Sequence, residues 1–599
     1  MHGPNGDIEH DVPWAAGARA RTPRPAGRRA PQRPGRRNRK RRNRAGRPPD
    51  TVTTASLVAG ATATLARSIQ HVRVPEWLDG SRRPRRLAST FGAGTTLGLL
   101  TWILVALTFQ PMFGGGQADW TAGWAGQRFA GLVGCVFGGG GVGLAFWMMT
   151  RAVGEAAAAT TARATGRDVT RVVVLGGGFG GVATATRLEQ LLGRYPGLEV
   201  TLVSRSNYLL FTPMLAEVAA RSLEGTHISA PVRAACPLTR FRRATVEEID
   251  PHAQVVHVRS TDADALEALP YDHLVLALGA VPNYLNLPGV AENSFALKTL
   301  DDATTLRDHV IHLLEAADTE RDPVERRRKL TFVVAGGGFA GTELVAGLHD
   351  MVHDVLHYFP SIPAGEPRFV LIHGRDRILP ELGPKLAGDA LARLRRRGIE
   401  FALGRRVAAA SDDWVRLNDD SIISTRTLVW TAGNQPNPLL ASLPLERGAT
   451  GAVMVNATMQ VKGFPNIWAI GDCAQVPDLS AGGRPCPPTA QHATRQGKGV
   501  ASNIAAVMSG SYPRPFRFRA VGFLVSLGRR TAAAELRGQR FFGFMAWLLW
   551  RGVYLSKLPG MEKRVRVLVD WTVDGLFPRD ITLTSADTRA GRRRVRSMA

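Results

Sequence analysis

Two glycine-rich turns in this chain have the spacing needed to cradle nucleotide phosphates. The first follows the apolar run Arg171 to Leu175 and sets out Gly176, Gly178, Phe179, Gly180 and Gly181 as G-x-G-x-x-G. The second follows Leu330 to Ala335 and repeats the pattern with Gly336, Gly338, Phe339, Ala340 and Gly341. In such a turn one glycine makes the bend and the next lets backbone approach a pyrophosphate. The third lets the following helix pack on the strand. That helix aims free N–H groups and the positive end of its dipole at the phosphates. A single copy could be a glycine turn in an ordinary parallel sheet. Two copies imply one chain holding two dinucleotides, the arrangement that passes a hydride from a nicotinamide to a flavin. The fold expected is α/β, with two Rossmann-like dinucleotide-binding domains.

Each turn is followed by a second strand whose end should meet a ribose. The strand Leu198 to Val203 ends at Ser204 and Arg205, where an acid usually stands. Serine still offers a hydroxyl to the ribose, as a neutral partner. The strand Arg368 to Ile372 ends at His373, Gly374 and Arg375, again without the acid. Arg375 could pair with a 2′-phosphate, so these residues leave NADH and NADPH both open. The four cysteines (Cys135, Cys236, Cys473 and Cys486) form no C-x-x-C pair. That spacing argues against a redox disulfide and against a zinc or iron–sulfur site, and no metal is expected. His349, His353 and His357 recur every fourth residue and read as a polar helix face rather than a zinc motif.

At 599 residues the chain should hold several domains, and a hydrophobic share of 44% is ample for real cores. The net charge of +26 is concentrated: Arg19 to Arg47 carries fourteen Lys or Arg and no acid. This tail, residues 1–50, is expected to be disordered. Residues 51–86 are a basic juxtamembrane segment. Residues 87–109 and 129–150 are uncharged and long enough to cross the ~30 Å hydrocarbon layer as a helical hairpin. Arg82, Arg83, Arg85 and Arg86 before it and Arg151 after it put both ends on the cytoplasmic side of a cell membrane. Residues 151–167 form a linker. The nucleotide-binding parts follow as 168–300 and 441–515 for the flavin and 301–440 for the nicotinamide. Residues 516–584 mix aromatics, aliphatics and bases, as in the segments Gly538 to Lys557 and Lys563 to Trp571. They suit a membrane-associating helical region, or else a homodimer interface. Residues 585–599 are a second basic tail. The basic tails make anionic lipid a nearer partner than nucleic acid.

From Asn207-Tyr-Leu-Leu-Phe-Thr212-Pro213 onward the chain resembles the type II NADH dehydrogenases. The resemblance runs from about Val172 to Ile581. It includes Leu274 to Pro282, Leu428 to Pro438, and Asn466-Ile-Trp-Ala-Ile-Gly471-Asp472. It implies FAD as cofactor, NADH as the favoured donor and a quinone as acceptor. Thr212, Pro213, Val246, Ala277, Gly279, Gly433 and Gly471 would then belong to the nucleotide sites. Asp472 would bond the ribityl chain, and Glu343 would lie near both reacting rings. The stretch Ala490-Gln491-His492-Ala493-Thr494-Arg495-Gln496 resembles the family's quinone motif Ala-Gln-x-Ala-x-Gln. Arg495 stands where the second Gln belongs, and Gln496 comes one place later. One residue on a helix rotates a side chain by ~100°, so Gln496 does not simply substitute. The implied reaction is non-electrogenic, because neither membrane span carries an acid or a base. Two other readings fit the residues: a flavin-dependent reductase with a non-quinone acceptor, and a non-enzymatic membrane-anchored flavoprotein.

Overall fold

The computed structural model describes residues 169–583, apart from positions 193, 194 and 196, together with Gly134, Gly138, Gly139 and Gly141, which are helical. Apart from those glycines, both proposed membrane spans lie outside the described residues, as do the N-terminal tail and the linker. Among the described residues no helix is long and apolar enough to cross a membrane.

The chain begins with strand β1 (Thr170–Leu175), helix α1 (Phe179–Leu191) and strand β2 (Leu198–Ser204). Helix α2 (Leu215–Ala219) precedes the strands β3 (Arg240–Asp250), β4 (Val255–Ser260), β5 (Leu266–Pro270) and β6 (His273–Leu276). A long helix, α3 (Leu300–Asp318), leads to β7 (Thr331–Ala335), α4 (Phe339–Val355), β8 (Arg368–His373), β9 (Ile399–Leu403) and β10 (Thr427–Trp430). The chain then returns through β11 (Gln460–Val461), β12 (Phe464–Ala469) and α5 (Ala490–Met508). It ends with β13 (Gly522–Ser526), β14 (Ala532–Leu536), β15 (Gln539–Gly543), α6 (Phe544–Lys557) and α7 (Met561–Leu576).

Two sheets carry the nucleotide turns. The larger has the order β11-β12-β6-β1-β2-β3-β4-β5, and its centre, β12-β6-β1-β2-β3, is parallel. The smaller, β9-β8-β7-β10, is wholly parallel. Parallel strands are buried on both faces, which is why β6, β7 and β10 are unbroken apolar or buried runs. In each sheet the turn follows a central strand, and its helix leaves from the carboxyl end. That is where ligands bind in open α/β sheets. Residues 273–276 pair with β1, and residues 464–469, from beyond the nicotinamide segment, pair with 273–276, so that segment is inserted into the larger unit.

The C-terminal part differs from the sequence expectation. Residues 539–543, expected to begin an interfacial helix, instead close a three-stranded antiparallel sheet, and the helix starts at Phe544. Aromatic residues of β15 alternate across its ladder, and a strand pairs their backbone better than a frayed helix end does. Trp550 and Trp571 are buried and join the core formed by α2, α3 and α4. Other apolar side chains of α6 and α7 stay exposed, among them Phe544 and Met545 on α6 and Leu568 and Val569 on α7.

Helix α5 lies directly on the first glycine turn. A Cβ at Gly497 would sit 2.3 Å from the Gly180 carbonyl oxygen, so only glycine allows this contact. Gly497→Ala is therefore expected to lower the unfolding free energy by about 1–3 kcal/mol and to loosen flavin retention. Thermal unfolding and the absorbance of the purified protein check both.

Candidate functional site

The two glycine turns are built alike. A Cβ on Gly176 would strike the Ala277 carbonyl at 2.2 Å, and one on Gly336 would strike Thr431 Oγ1 at 2.4 Å. Both residues also have positive φ, which other residue types rarely adopt. Gly181 and Gly341 close against the carbonyls of Gly176 and Gly336 in the same way. By contrast, Gly178 and Gly338 face open space, where a phosphate can approach the backbone. Ser204 lies against Gly177, and His373 occupies the matching place against Gly337, whose N–H it accepts at Nδ1 over 3.1 Å. Arg375 is exposed beyond that strand.

One cavity of about 4130 Å³ connects the turns. This is several times the volume of an ordinary ligand pocket, with room for two dinucleotides. Of the residues expected from sequence, Gly178, Phe179, Gly180, Arg205, Thr212, Pro213, Ala277 and Gly279 line its first half. Phe339, Ala340, Glu343, Gly471, Asp472, Gln491, Ala493 and Arg495 line the rest. Gly433 stands behind the wall, packed on the Asn283 carbonyl. Two of the expected residues do not line the cavity. Val246, half-buried, packs against the core and pairs with Val258 of β4, while its neighbours Arg243 and Thr245 line the cavity. His492 is buried on the far side of α5 with Asp478 and Cys486, their polar atoms within 4.8 Å of one another. Burial raises the Cys486 thiol to about 11, and His492 Nδ1 is held by Thr489 Oγ1 at 2.8 Å. This cluster fastens the start of α5. His349 also departs from a simple polar face: its Nε2 meets the Arg397 carbonyl at 2.8 Å and its ring stacks on His353.

Helix α5 divides the work of its motif between two faces. Gln491 and Arg495 face the cavity, with the Arg495 guanidinium 4.0 Å above the Phe518 ring. Gln496 is buried on another face and accepts the Gly471 N–H at Oε1 over 2.8 Å. It thereby fixes the turn that presents Asp472. Burial pushes the Asp472 carboxyl up, and Lys298 opposite pulls it back down. Lys298 was not anticipated. A capping box places it: the Asp302 carboxylate accepts the backbone N–H groups of Lys298 and Thr299 at 2.9 and 2.8 Å. The run Thr299-Leu-Asp-Asp302 marks the helix start in the sequence, but nothing there says that the residue before it faces Asp472.

Glu343 sits on the second turn of α4, between the sheet and the C-terminal helices. Its Oε1 accepts the Ser526 N–H at 2.8 Å and the Trp550 indole N–H at 3.2 Å. Burial raises its carboxyl to about 8, against the pull of those two donors. The cavity runs on from Glu343 past Phe523 and Tyr554 to Met545, Met561 and Val565, at the exposed apolar edge of α6 and α7. An apolar molecule entering at that edge would reach Gln491 and Arg495 without crossing water.

Residues 170–497 match the pyridine nucleotide-disulphide oxidoreductase family, and residues 521–580 match the NDH2 C-terminal domain. The chain is 30% identical over 451 residues to a type II NADH:quinone oxidoreductase of Mycobacterium tuberculosis, covering 72% of this chain and 93% of that protein. The chain belongs to the type II NADH dehydrogenases. It is 32% identical over 409 residues to a demethylphylloquinone reductase of Synechocystis, covering 67% of this chain and 95% of the relative. The NDH2 of Plasmodium falciparum, solved in complex with NADH, shares the fold with a TM-score of 0.64 at 18% identity, over 69% of this chain and 99% of that one.

A type II NADH dehydrogenase with Glu343 in this setting carries an acid that is protonated at neutral pH. The acid form persists below pH 8 and is lost as pH rises through about 8. Turnover that needs this proton should fall on that alkaline limb. In Glu343→Gln the limb should vanish and the rate below it drop about 100-fold. A pH–rate profile of both proteins checks this.

Proposed function

We propose that this chain oxidises NADH and reduces a membrane quinone through a bound FAD, without pumping protons. The observation that carries this reading is the single cavity on which Asp472, Glu343, Gln491 and Arg495 converge and which opens at an apolar edge. The glycine turns fit the two nucleotides, because Gly178 and Gly338 leave open the space that any side chain would fill. When bound, the flavin supplies the two-electron chemistry, and the protein supplies placement and electrostatics. Helix α1 and the Gly178 backbone hold the FAD pyrophosphate, while Asp472, steadied by Lys298 and Gln496, bonds the ribityl chain. Helix α4 and Gly338 hold the donor pyrophosphate. Ser204 and His373 stand at the two riboses, and Phe339 and Ala340 flank the nicotinamide end. Thr212, Pro213, Ala277 and Gly279 shape the flavin-ring pocket. Gln491 donates to one quinone carbonyl and Arg495 to the other, and Glu343 holds the proton.

Access to a lipid-soluble acceptor explains the surface. Exposed Phe544, Met545, Leu548, Leu568 and Val569, with Lys563, Arg564 and Arg566 nearby, suit an anionic bilayer surface. The uncharged stretches 87–109 and 129–150 would add a permanent hairpin anchor, leaving the catalytic body on the cytoplasmic side. A homodimer that covers the same apolar face would compete with this docking.

Anaerobic mixing with NADH should bleach the flavin, and a menaquinone or ubiquinone analogue should then restore its colour rapidly. Bleaching without recovery would contradict the quinone and leave an NADH reductase. The same mixing with NADPH compares the donors. A large NADPH preference would overturn the assignment of NADH and would point to Arg375 as a 2′-phosphate partner.

A further inference from the structure

Glu343 is a shared wall. On one side it lines the large cavity, and on the other it lines a separate cavity of about 250 Å³. The second carboxylate on this small cavity is Glu217 of α2. Helices α2 and α4 approach closely there, since a Cβ on Gly347 would lie 2.9 Å from that of Ala220. The two acids are held alike. Trp550 donates its indole N–H to Glu343 at 3.2 Å, and Trp571 donates its own to Glu217 at 3.1 Å. The two indole rings lie 6.1 Å apart. The second oxygen of each carboxyl has no protein partner among the described residues.

The other charged groups around this cavity are largely paired. On α4, Asp350 bridges Arg397, and Asp354 bridges Arg529 of the β13–β14 turn at 2.7 Å. Asp574 of α7 meets Arg579 at 3.0 Å. On α6 the Arg551 guanidinium lies over the Trp547 and Trp571 rings at 3.9 and 4.5 Å and faces Glu217. Tyr554 of the same helix feels the charge of both acids, and Arg530 stands at the exposed rim with Arg529. Glu217 and Glu343 thus stand without an ion-pair partner among the described residues, in a space with room for several waters.

The chemistry requires a proton from outside. The donor gives a hydride, which carries two electrons and one proton. A quinone needs two electrons and two protons to become a quinol, so one further proton per turnover must come from solvent. An acceptor seated beside Gln491 and Arg495 expels water from the large cavity. The small cavity still reaches Glu343 from behind.

We propose, resting on the quinone-reductase reading above, that the small cavity is the proton entrance of this enzyme, with Glu217 as its outer carboxyl and Glu343 as its inner one. A solvent proton enters at the Arg529–Arg530 rim, passes to Glu217, crosses cavity water to Glu343 and ends on a quinone oxygen. Glu343 then recovers its proton from Glu217. Glu217 touches neither nucleotide nor acceptor and acts as a positioning and relay residue. Burial raises its carboxyl to about 7, beside about 8 for Glu343, a match that suits exchange between them.

The test uses FAD-loaded protein and separates the two half-reactions by rapid mixing. In Glu217→Gln, bleaching by NADH is the reference, since it consumes no solvent proton. Recolouring by the quinone analogue, and proton uptake seen with a pH indicator, should slow together about tenfold or more. Glu217→Asp, which keeps a carboxyl, should restore most of the loss. Equal recolouring rates in wild type and Glu217→Gln would overturn the entrance while leaving quinone reduction intact. No recolouring in the wild type would instead defeat the underlying reading. Should Glu217→Gln fail to hold flavin, infrared difference spectra of the wild type decide the matter. Carboxyl bands titrating between about pH 6 and 9 are required, and their absence overturns the proposal.

Discussion

No side chain larger than hydrogen fits where helix α5 crosses the first glycine turn, and much of the site hangs on that contact. Gly497 rests on the Gly180 carbonyl, at the point where the phosphate-binding helix begins. One residue earlier, Gln496 holds the Gly471 N–H and so aims Asp472. Arg495, the residue before that, and Gln491, one turn before Arg495, reach the cavity. A single helix therefore sets the distances between the first glycine turn, Asp472 and the residues proposed to meet the acceptor. Helical periodicity fixes those separations. Moving the helix out by the width of a methyl group would shift all of them together.

The same economy appears at the nicotinamide end. Helix α4 begins at a glycine turn superposable in logic on the first, and its second turn carries Glu343. The C-terminal sheet and helix α6 then cap that acid with Ser526 and Trp550. The segment that carries the exposed apolar face is thus the segment that buries Glu343. In the proposed reading docking and proton chemistry share a wall: α6 buries Trp550 in the core while leaving Phe544 and Met545 outside.

The placement of residues that rests on local spacing was legible in the sequence. Both glycine turns, the strands before them, Asp472 behind an apolar strand and the Gln491 helix all lie within short motifs. Steric rules act over a few residues there. Contacts between distant segments were not legible. Lys298 faces Asp472 across 174 positions, and Glu217 meets Trp571 across 354. Neither pairing leaves a local pattern. Val246 and His492 stand beside cavity-lining neighbours in sequence, but strand alternation and helix rotation keep their side chains off the cavity wall. The helix expected over Gly538 to Phe544 failed because apolar content alone does not distinguish a strand from an interfacial helix over so short a run.

The central claim is that FAD and NADH lie face to face in one cavity, and anaerobic titration of the FAD-loaded protein with NADH tests it most directly. The account predicts that the flavin bleaches with a stoichiometry of one NADH per chain, and that a long-wavelength charge-transfer absorbance appears as the two rings stack. A purified protein that stays colourless with added FAD, or that binds NADH with neither bleaching nor charge-transfer absorbance, would contradict it.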